Sequence, residues 1–198
     1  IFASTSETYG NQKVFPIKED SPLFPNQPYA IAKVAADHYL HYCKEANGFP
    51  SIIIRPFNTY GRTKNMTFVT ESIICQMLTK KDKIILGDPN PIRDLLYVDD
   101  HVNGYVKTIE TKENLMDCRA INLCTGIGTS IKELAEKIQK WTDFKGEIIW
   151  NVKNRPTEIN QLIGDWNLAF LKLGWRPQTT LDEGLMLTTQ KIKKALNL

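Results

Sequence analysis

Short apolar segments alternate with longer helical segments along this chain, and this alternation is the feature that most restricts its fold. The clearest apolar segment is the β-branched run at 51–54, which has the length and composition of a buried strand. Helical segments lie between such runs, as in a parallel sheet whose strands are joined by crossover helices. The sequence therefore predicts an α/β fold. We expect strands at 1–4, 51–54, 83–86, 120–123 and 147–150, an extended segment at 93–98, and helices at 29–47, 67–79, 100–110, 130–141, 165–173 and 181–196.

Local signals mark where several of these elements begin and end. Pro28 has the preset φ angle that suits the first turn of a helix, and Gly48 is a typical residue just after a helix end. Ser130 and Glu133 form a capping-box pattern at the start of another helix. By contrast, residues 11–28 contain four prolines and predict no regular element. Residues 55–62 are interpreted as a loop.

The composition excludes several classes of protein. Of the 198 residues, 42% are hydrophobic and 24% are charged, which is typical of a folded globular chain and not of a disordered one. No apolar run reaches the roughly 18 residues that a membrane-spanning helix needs. The 25 basic and 22 acidic residues give a net charge of +3, and a nucleic-acid-binding chain would need a stronger and more clustered basic excess. We therefore expect neither a membrane nor a nucleic-acid partner.

The cysteines and histidines do not have the spacing of a metal site. The four cysteines include no CxxC pair and the three histidines are scattered, so no structural zinc is expected. Four cysteines in a chain of this length are typical of reduced thiols, which predicts a cytoplasmic protein. The first residues show neither an initiator Met nor a signal peptide. We interpret the chain as a piece of a longer protein.

The segment Tyr29-Ala30-Ile31-Ala32-Lys33 gives the sharpest chemical signal. Residues four apart on a helix share one face, so the phenol of Tyr29 and the ammonium of Lys33 lie one turn apart. A phenol with a pKa near about 10 is a poor base at neutral pH. A neighbouring ammonium stabilises the phenolate and lowers that pKa. The pair can therefore remove a hydroxyl proton while a hydride leaves the same carbon; the alternative is an ordinary surface pair on an amphipathic helix.

A polar segment follows the first predicted strand, where Ser4, Thr5, Ser6 and Glu7 come in succession. The hydroxyl of Thr5 can bind a reacting oxygen beside Tyr29, and the carboxylate of Glu7 can serve as a second base. The alternative is that the hydroxyl groups form a turn and that Glu7 is a solvated loop charge.

Three further segments place polar side chains after predicted strands. Residues 55–61 follow the strand at 51–54, and loops at the carboxyl ends of parallel strands form ligand crevices. Arg93 and Arg155 suit a diphosphate, because each guanidinium can bind oxygens in a bidentate manner. Singly, each arginine is better explained as a surface ion-pair residue. The Gly126-Ile127-Gly128 segment lacks the third glycine of a dinucleotide loop and is interpreted as a simple strand-turn-helix connection.

Taken together, these segments resemble the extended short-chain dehydrogenase/reductase family of NAD-dependent nucleotide-sugar epimerases and dehydratases. The resemblance covers essentially the whole chain and rests on six motifs in the family order, STSETYG, YAIAK, RPFNTYG, RDLLYVDD, NRPTEINQLIGD and LGWRP. It implies the later part of a Rossmann-like doubly wound parallel sheet plus a smaller mixed α/β substrate-binding region. Residues 1–60 would complete the NAD-binding domain, and residues 61–198 would mostly bind the nucleotide sugar, with some segments returning to the sheet.

The resemblance also implies what precedes this portion in the family. Family members begin with a βαβ unit that carries a glycine-rich NAD loop, and nothing in this sequence matches it. We therefore expect the strands at 1–4 and 51–54 to lack parallel neighbours.

The resemblance assigns roles to particular residues. Thr5, Tyr29 and Lys33 match the catalytic triad, and Tyr29 and Lys33 would also contact NAD, with Lys33 on the nicotinamide ribose. Asp99 would orient a loop. The cofactor-binding residues would further include Pro56 and Phe57, and the residues that bind the nucleotide-diphosphate sugar would be Ser6, Asn58, Arg93 and Arg155. A homodimer is expected at full length.

Glu7 separates the activities within this family. The 4,6-dehydratases carry Glu at this position, whereas the 4-epimerases usually lack a carboxylate there. We therefore expect a nucleotide-sugar 4,6-dehydratase. A 4-epimerase and a UDP-glucuronate decarboxylase remain as alternatives, and a non-catalytic fragment that binds sugar nucleotides is the alternative from another class.

Overall fold

The computed structural model describes residues 1–63, 66–111, 116–152 and 157–198. Helices and strands alternate along these ranges, as the sequence predicts. The strands are β1 (Phe2–Ala3), β2 (Ser51–Pro56), β3 (Asn58–Tyr60), β4 (Lys83–Leu86), β5 (Ile92–Tyr97), β6 (Asp117–Leu123), β7 (Gly128–Ser130), β8 (Glu147–Trp150) and β9 (Gln161–Leu162). The helices are α1 (Pro28–Asn47), α2 (Val69–Thr79), α3 (Val98–Ile109), α4 (Ile131–Thr142), α5 (Asn167–Leu173) and α6 (Leu181–Ala195), and a short 3-10 turn spans Ser6–Tyr9.

A parallel sheet with the order β1-β2-β6 forms the first layer of the molecule. Helix α1 connects β1 to β2 and covers one face of this sheet, where Leu40 packs towards Ile53 and Ala120. Helices α3 and α5 cover the other face, where Ile52 and Ile54 point. Because successive side chains of a strand point to opposite faces, the run at 51–54 is buried on both sides. The predicted α/β fold with a parallel sheet is confirmed.

Strand β5 organises a second sheet. Strands β3 and β9 pair with it in parallel, and β7 pairs with it in antiparallel fashion. Strands β4 and β8 form a separate parallel pair. Helices α2, α4 and α6 pack against these strands and enclose the largest apolar cluster, which includes Ile74, Ile84, Tyr97, Leu134 and Leu185.

Most predicted elements have their expected bounds to within two or three residues, and the strands at 83–86 and 147–150 are as predicted. The predicted loop at 55–62 differs, because β2 continues to Pro56 and β3 follows at once. The expectation that the strand at 51–54 lacks neighbours is wrong, since β2 pairs with β1 on one side and with β6 on the other. Within the described residues, β1 pairs with β2 alone.

The chain passes directly from the first sheet to the second at two places. One residue, Phe57, separates β2 from β3, and residues 124–127 separate β6 from β7. Strand β2 ends at Pro56 and β3 begins at Asn58, and the backbone N–H of Phe57 donates to the carbonyl oxygen of Leu123 (2.9 Å). The end of β2 and the start of β3 therefore lie next to each other at the carboxyl end of β2, and open α/β sheets bind their ligands at the carboxyl ends of their strands. No helix in the described ranges has the length and apolar character needed to cross a membrane.

Candidate active site

The segment after β1 folds into the 3-10 turn that holds Thr5 and Glu7. The side-chain oxygen of Thr5 accepts a hydrogen bond from the Glu7 N–H (3.3 Å), and the Thr8 hydroxyl donates to the Thr5 carbonyl oxygen (2.7 Å). Thr5 and Ser6 are buried. Thr5 therefore does form the turn, and its hydroxyl group keeps an O–H donor besides the accepted bond.

Tyr29 and Lys33 lie on the first turns of α1, beside this turn. Pro28 begins the helix as predicted, and the Tyr29 side chain is 54% exposed. The Lys33 ammonium lies 5.7 Å from the centroid of the Tyr29 ring and 4.9 Å from that of the Phe2 ring, and it donates to the Ala3 carbonyl oxygen (2.6 Å). Helix α1 packs against the 3-10 turn that follows Thr5, and Lys33 is bonded to Ala3, two residues before Thr5.

Glu7 belongs to a group of three charged side chains. Burial raises the pKa of the Glu7 carboxyl, the nearby Arg93 guanidinium opposes that rise, and the Glu158 carboxylate adds to it. Arg93 Nη2 donates to Glu158 Oε1 at 2.6 Å. Glu7 is thus half-buried rather than a fully solvated loop charge, and its carboxyl group faces an ion pair. The sequence reasoning missed Glu158 as a site residue, although it lies three residues after Arg155 in a motif already noted.

The segment at 56–58 contributes one open polar atom to this edge. Asn58 Oδ1 is buried and has no hydrogen-bond partner among the described residues, so it is available to accept from a ligand. Phe57 was expected to contact NAD, but its ring is only 3% exposed and packs against Tyr9 and Cys124. Its N–H is bonded to Leu123 and its carbonyl oxygen to the Thr59 hydroxyl, while Pro56 is half-buried at the end of β2.

Arg93 and Arg155 were expected to bind a diphosphate together. Arg93 is half-buried at the start of β5 and lies close enough to Glu7 to act on its pKa. Arg155 lies outside the described residues, so its place stays a prediction.

Two buried aspartates shape the loops around this edge. Asp94 accepts hydrogen bonds from the Thr125 N–H and hydroxyl (both 2.7 Å), the Gly126 N–H (2.8 Å) and the Gly164 N–H (3.2 Å). Burial raises the pKa of Asp94 to about 6, against the lowering effect of these bonds. The Gly126 turn is therefore held by a carboxylate. The predicted strand-turn-helix connection is incomplete, because the strand β7, which begins at Gly128, lies between this turn and α4.

The second of these aspartates is Asp100 and not Asp99, the residue expected to orient a loop. Asp99 is exposed. Asp100 is buried, and its carboxylate accepts from the N–H groups of Gln178 (3.1 Å) and Thr179 (2.8 Å).

A parallel α/β sheet with a hydroxyl residue after one strand, and with Tyr and Lys four apart on the following crossover helix, defines the class of the extended short-chain dehydrogenase/reductases. The sequence profile of the family described as GDP-mannose 4,6 dehydratase matches residues 1–188. The chain belongs to this family, and the resemblance noted from its motifs is confirmed.

Relatives with different activities are similar to this chain. A putative UDP-glucose 4-epimerase of Methanocaldococcus jannaschii is 31% identical over 189 residues, which are 93% of this chain and 60% of the relative. A dTDP-glucose 4,6-dehydratase of Haemophilus influenzae is 29% identical over 197 residues, which are 94% of this chain and 58% of the relative. The chain thus spans about 60% of the length of these curated relatives.

A solved structure has the same fold. The UDP-glucuronic acid 4-epimerase of Bacillus cereus, in complex with UDP-glucuronic acid and NAD, superposes with a TM-score of 0.87 at 29% identity. The match covers 97% of this chain and 60% of that structure. The predicted Rossmann-like α/β architecture is therefore confirmed.

Proposed function

We propose that this chain carries the catalytic half of an NAD-dependent nucleotide-sugar 4,6-dehydratase. The observation that carries the proposal is the position of Glu7, a half-buried carboxyl group with a raised pKa, two residues after Thr5. A carboxylate at this place is a second base beside Tyr29, and a dehydratase needs two bases where an epimerase needs one. The family relatives include both kinds of enzyme.

The residues at the end of β1 fit a nicotinamide cofactor. The Lys33 ammonium uses one N–H on Ala3 in the contacts described, and an ammonium group has three N–H donors. Tyr29 is exposed beside it. Lys33 would hold the nicotinamide ribose and Tyr29 would lie near the reacting carbon. A bound NAD would accept the hydride of C4 and return it to C6, and C5 would regain a proton in that last step, which balances the proton that Tyr29 takes from the C4 hydroxyl.

Tyr29 acts as the first base. Its phenolic oxygen, on the same helix face as the Lys33 ammonium, takes the proton of the C4 hydroxyl as the C4–H bond breaks. The Thr5 hydroxyl donates to the same sugar oxygen and keeps it beside Tyr29. The product of this step is a 4-keto sugar.

Glu7 acts as the second base. The 4-keto group makes the C5 hydrogen acidic, and the Glu7 carboxylate removes it. The C6 hydroxyl then leaves as water, and the Glu7 carboxylic acid can return its proton to that leaving group. A raised pKa suits this role, because the group has to accept and release a proton near neutral pH.

The nucleotide sugar is held by residues from both sheets. Asn58 Oδ1, which has no partner among the described residues, would accept from a sugar hydroxyl. Arg93 would bind the diphosphate, together with Arg155, and Ser6 would line the sugar site. Arg93 pairs with Glu158 in this structure. A diphosphate would therefore have to share the Arg93 guanidinium with the Glu158 carboxylate, or displace that carboxylate from it.

A nucleotide-sugar 4-epimerase is the second candidate, because the relative at 31% identity is a putative UDP-glucose 4-epimerase. In that reaction the keto sugar rotates and takes the hydride back at C4, so Glu7 has no chemical task.

The test is Glu7→Gln in an enzyme made from the complete coding sequence. Gln keeps the shape of Glu7 and removes the base. In a dehydratase, reduced nicotinamide should accumulate on the enzyme after substrate is added, since the first hydride transfer proceeds and water loss does not. Absorbance of the reduced cofactor and the mass of the product follow the two steps. GDP-mannose, dTDP-glucose, UDP-N-acetylglucosamine and UDP-glucose are the substrates to compare.

The matched control is Glu45→Gln, which changes an exposed glutamate near the far end of α1 and should leave both steps unaltered. Unchanged turnover of Glu7→Gln, with a product of unchanged mass, would favour the epimerase. The division at residue 60 and the homodimer stay proposals drawn from the family, and the cytoplasmic location stays a proposal drawn from the four cysteines.

A further inference from the structure

A buried ion pair lies under the first turns of α1. Arg55, at the end of β2, and Asp37, in the middle of α1, are 4% and 1% exposed. Arg55 Nη2 and Nε donate to Asp37 Oδ2 at 2.9 and 3.2 Å, and the Ser4 hydroxyl donates to the same oxygen at 3.1 Å. One carboxylate oxygen therefore joins α1 to the ends of both β1 and β2.

Asp37 occupies the helix face that carries the proposed catalytic side chains. It lies four residues after Lys33 and eight after Tyr29, so the three share one stripe of α1. Lys33 contacts Ala3, the last residue of β1, and Asp37 contacts Ser4, which follows it. Thr5 comes next along the chain. The bonds to Asp37 therefore set the rotation of α1 about its axis, and with it the position of the Tyr29 hydroxyl relative to Thr5.

The guanidinium of Arg55 also reaches the turn that carries Glu7. Arg55 Nη1 donates to the Tyr9 hydroxyl (3.1 Å), and the guanidinium lies 4.9 Å from the centroid of the Tyr9 ring. The Tyr9 hydroxyl in turn donates to Asn122 Oδ1 on β6 (2.8 Å). Tyr9 lies two residues after Glu7, so one side chain is bonded both to the helix of Tyr29 and to the turn of Glu7.

Stability alone does not account for charges at this place. Apolar contacts also hold α1 on the sheet, with Leu40 packed near Ile53 and Ala120. A buried ion pair is often no more stabilising than apolar side chains of similar size, because desolvation offsets the attraction. Directional bonds, by contrast, fix distances and angles that apolar contacts leave loose.

We propose that Asp37 and Arg55 are positioning residues, which hold the Tyr29 and Glu7 bases in register with each other. This inference rests on the proposed function. Misplacement of reacting groups by about 1 Å can cost about 10²-fold in rate. The pair acts on both half-reactions, whereas each base acts on one of them.

The experiment is a single-turnover measurement on enzyme made from the complete coding sequence, with separate rate constants for cofactor reduction and for water loss. Asp37→Asn should lower both rate constants, by about 10²-fold, with little change in KM. Tyr29→Phe should lower the first directly, and Glu7→Gln only the second. Arg119→Gln is the matched control, since it breaks an exposed Arg–Asp pair with Asp117 (3.1 Å) and should lower neither.

A double variant separates positioning from the cost of an unpaired buried charge. Asp37→Asn with Arg55→Gln removes both charges, and both rate constants should stay low because the directional bonds are gone. Rates near those of the parent enzyme, alongside a lowered melting temperature, would show a merely structural pair and overturn the inference.

Ser4→Ala keeps the pair and should fold even where the other variants do not. It removes only the bond from Asp37 to β1, so the first rate constant should fall several-fold and the second should not. Equal, unchanged rate constants would overturn the inference. If Tyr29→Phe itself kept full activity, the proposed function would fail instead, whatever the result at Asp37.

Discussion

At Glu7, the protonation state of one carboxyl group depends on its burial and on two charged neighbours. Burial raises its pKa, Arg93 lowers it and Glu158 raises it. Since Glu7 has to be ionised to remove the C5 proton, the rate of water loss should fall as the pH drops through this raised pKa. The acid limb of the pH profile therefore reports on Glu7 and on the ion pair beside it.

Glu158→Gln is expected to move that acid limb to lower pH. The change removes a negative charge that raises the pKa of Glu7, and it frees the Arg93 guanidinium to attract the Glu7 carboxylate, so both effects lower that pKa. The measurement is the rate of water loss against pH at saturating substrate, with Glu45→Gln as the control. A limb that stays in place, or moves to higher pH, would contradict the assignment of Glu7 as the base.

Tyr29→Phe removes the first proton acceptor and keeps the ring. Turnover is expected to fall by about 10²–10⁴-fold, the usual contribution of a general base, with little change in sugar-nucleotide affinity. Steady-state kinetics and calorimetry measure the two quantities. Tyr42→Phe, at an exposed tyrosine of the same helix, should behave as the parent enzyme. Near-full activity of Tyr29→Phe would make the YxxxK spacing a chance match.

The role of a residue was predictable where it follows from the spacing within a short motif. It was not predictable where it depends on a contact with a residue distant in the sequence. The four-residue spacing of Tyr29 and Lys33 shows which helix face they share. Asp100, rather than Asp99, holds a loop because the N–H groups of Gln178 and Thr179 lie beside its carboxylate. No pattern in the sequence around α3 indicates that contact. Phe57 was likewise predicted to lie in a loop, whereas in the structure Tyr9 and Cys124 enclose its ring.

Among the secondary-structure elements, the long helices whose first and last residues carry capping signals were predicted well. Ser130 accepts from the Glu133 N–H (3.1 Å), as the capping-box pattern indicates, and Gly48 ends α1 with a left-handed conformation. The short strands β3, β7 and β9 were missed, because each has only two or three residues and exists through its pairing with β5. Their sequences contain no alternation long enough to detect.

Gly184→Ala tests how α6 packs against β3. In an exposed helix this change would be worth roughly 1 kcal/mol of added stability. Here a Cβ at Gly184 would lie 2.0 Å from the hydroxyl oxygen of the buried Tyr60, so we expect a net loss of about 1–3 kcal/mol. Gly87→Ala, where an added Cβ meets nothing within 4 Å, is the control. Denaturant unfolding measures both, and a gain in stability for Gly184→Ala would contradict this packing.

For the whole molecule, the sequence predicts weak binding of NAD by residues 1–198 alone. The pyrophosphate of a dinucleotide normally lies on a helix N-terminus after a glycine-rich turn, and the sequence has no such motif. The one similar segment, at Gly126, is held by Asp94. Calorimetry on residues 1–198 should show no micromolar binding, which would correspond to about −8 kcal/mol. A protein from the complete coding sequence is the comparison, and micromolar affinity of the shorter one would contradict the prediction.

The class of fold was predictable because strand and helix periods alternate clearly from 51 to 196. The arrangement of the strands was not, since parallel pairs such as β2 and β6 lie about sixty residues apart and their register depends on packing. The expectation that the strand at 51–54 lies unpaired failed for this reason. Its neighbour β6 comes from a distant segment, and the apolar residues of that segment do not indicate which strand it pairs with.

The passage of the chain through Phe57 has a mechanical consequence. Its N–H is bonded to Leu123, and its ring lies so close to Gly164 that a Cβ there would come within 2.5 Å of Phe57 Cζ. Because both the backbone and the ring of Phe57 are held in place, this residue is poorly suited to act as a hinge. The two sheets should therefore move little relative to each other at this point. A ligand at the carboxyl end of β2 would then meet backbone that is already in place, so that its binding costs little conformational entropy there.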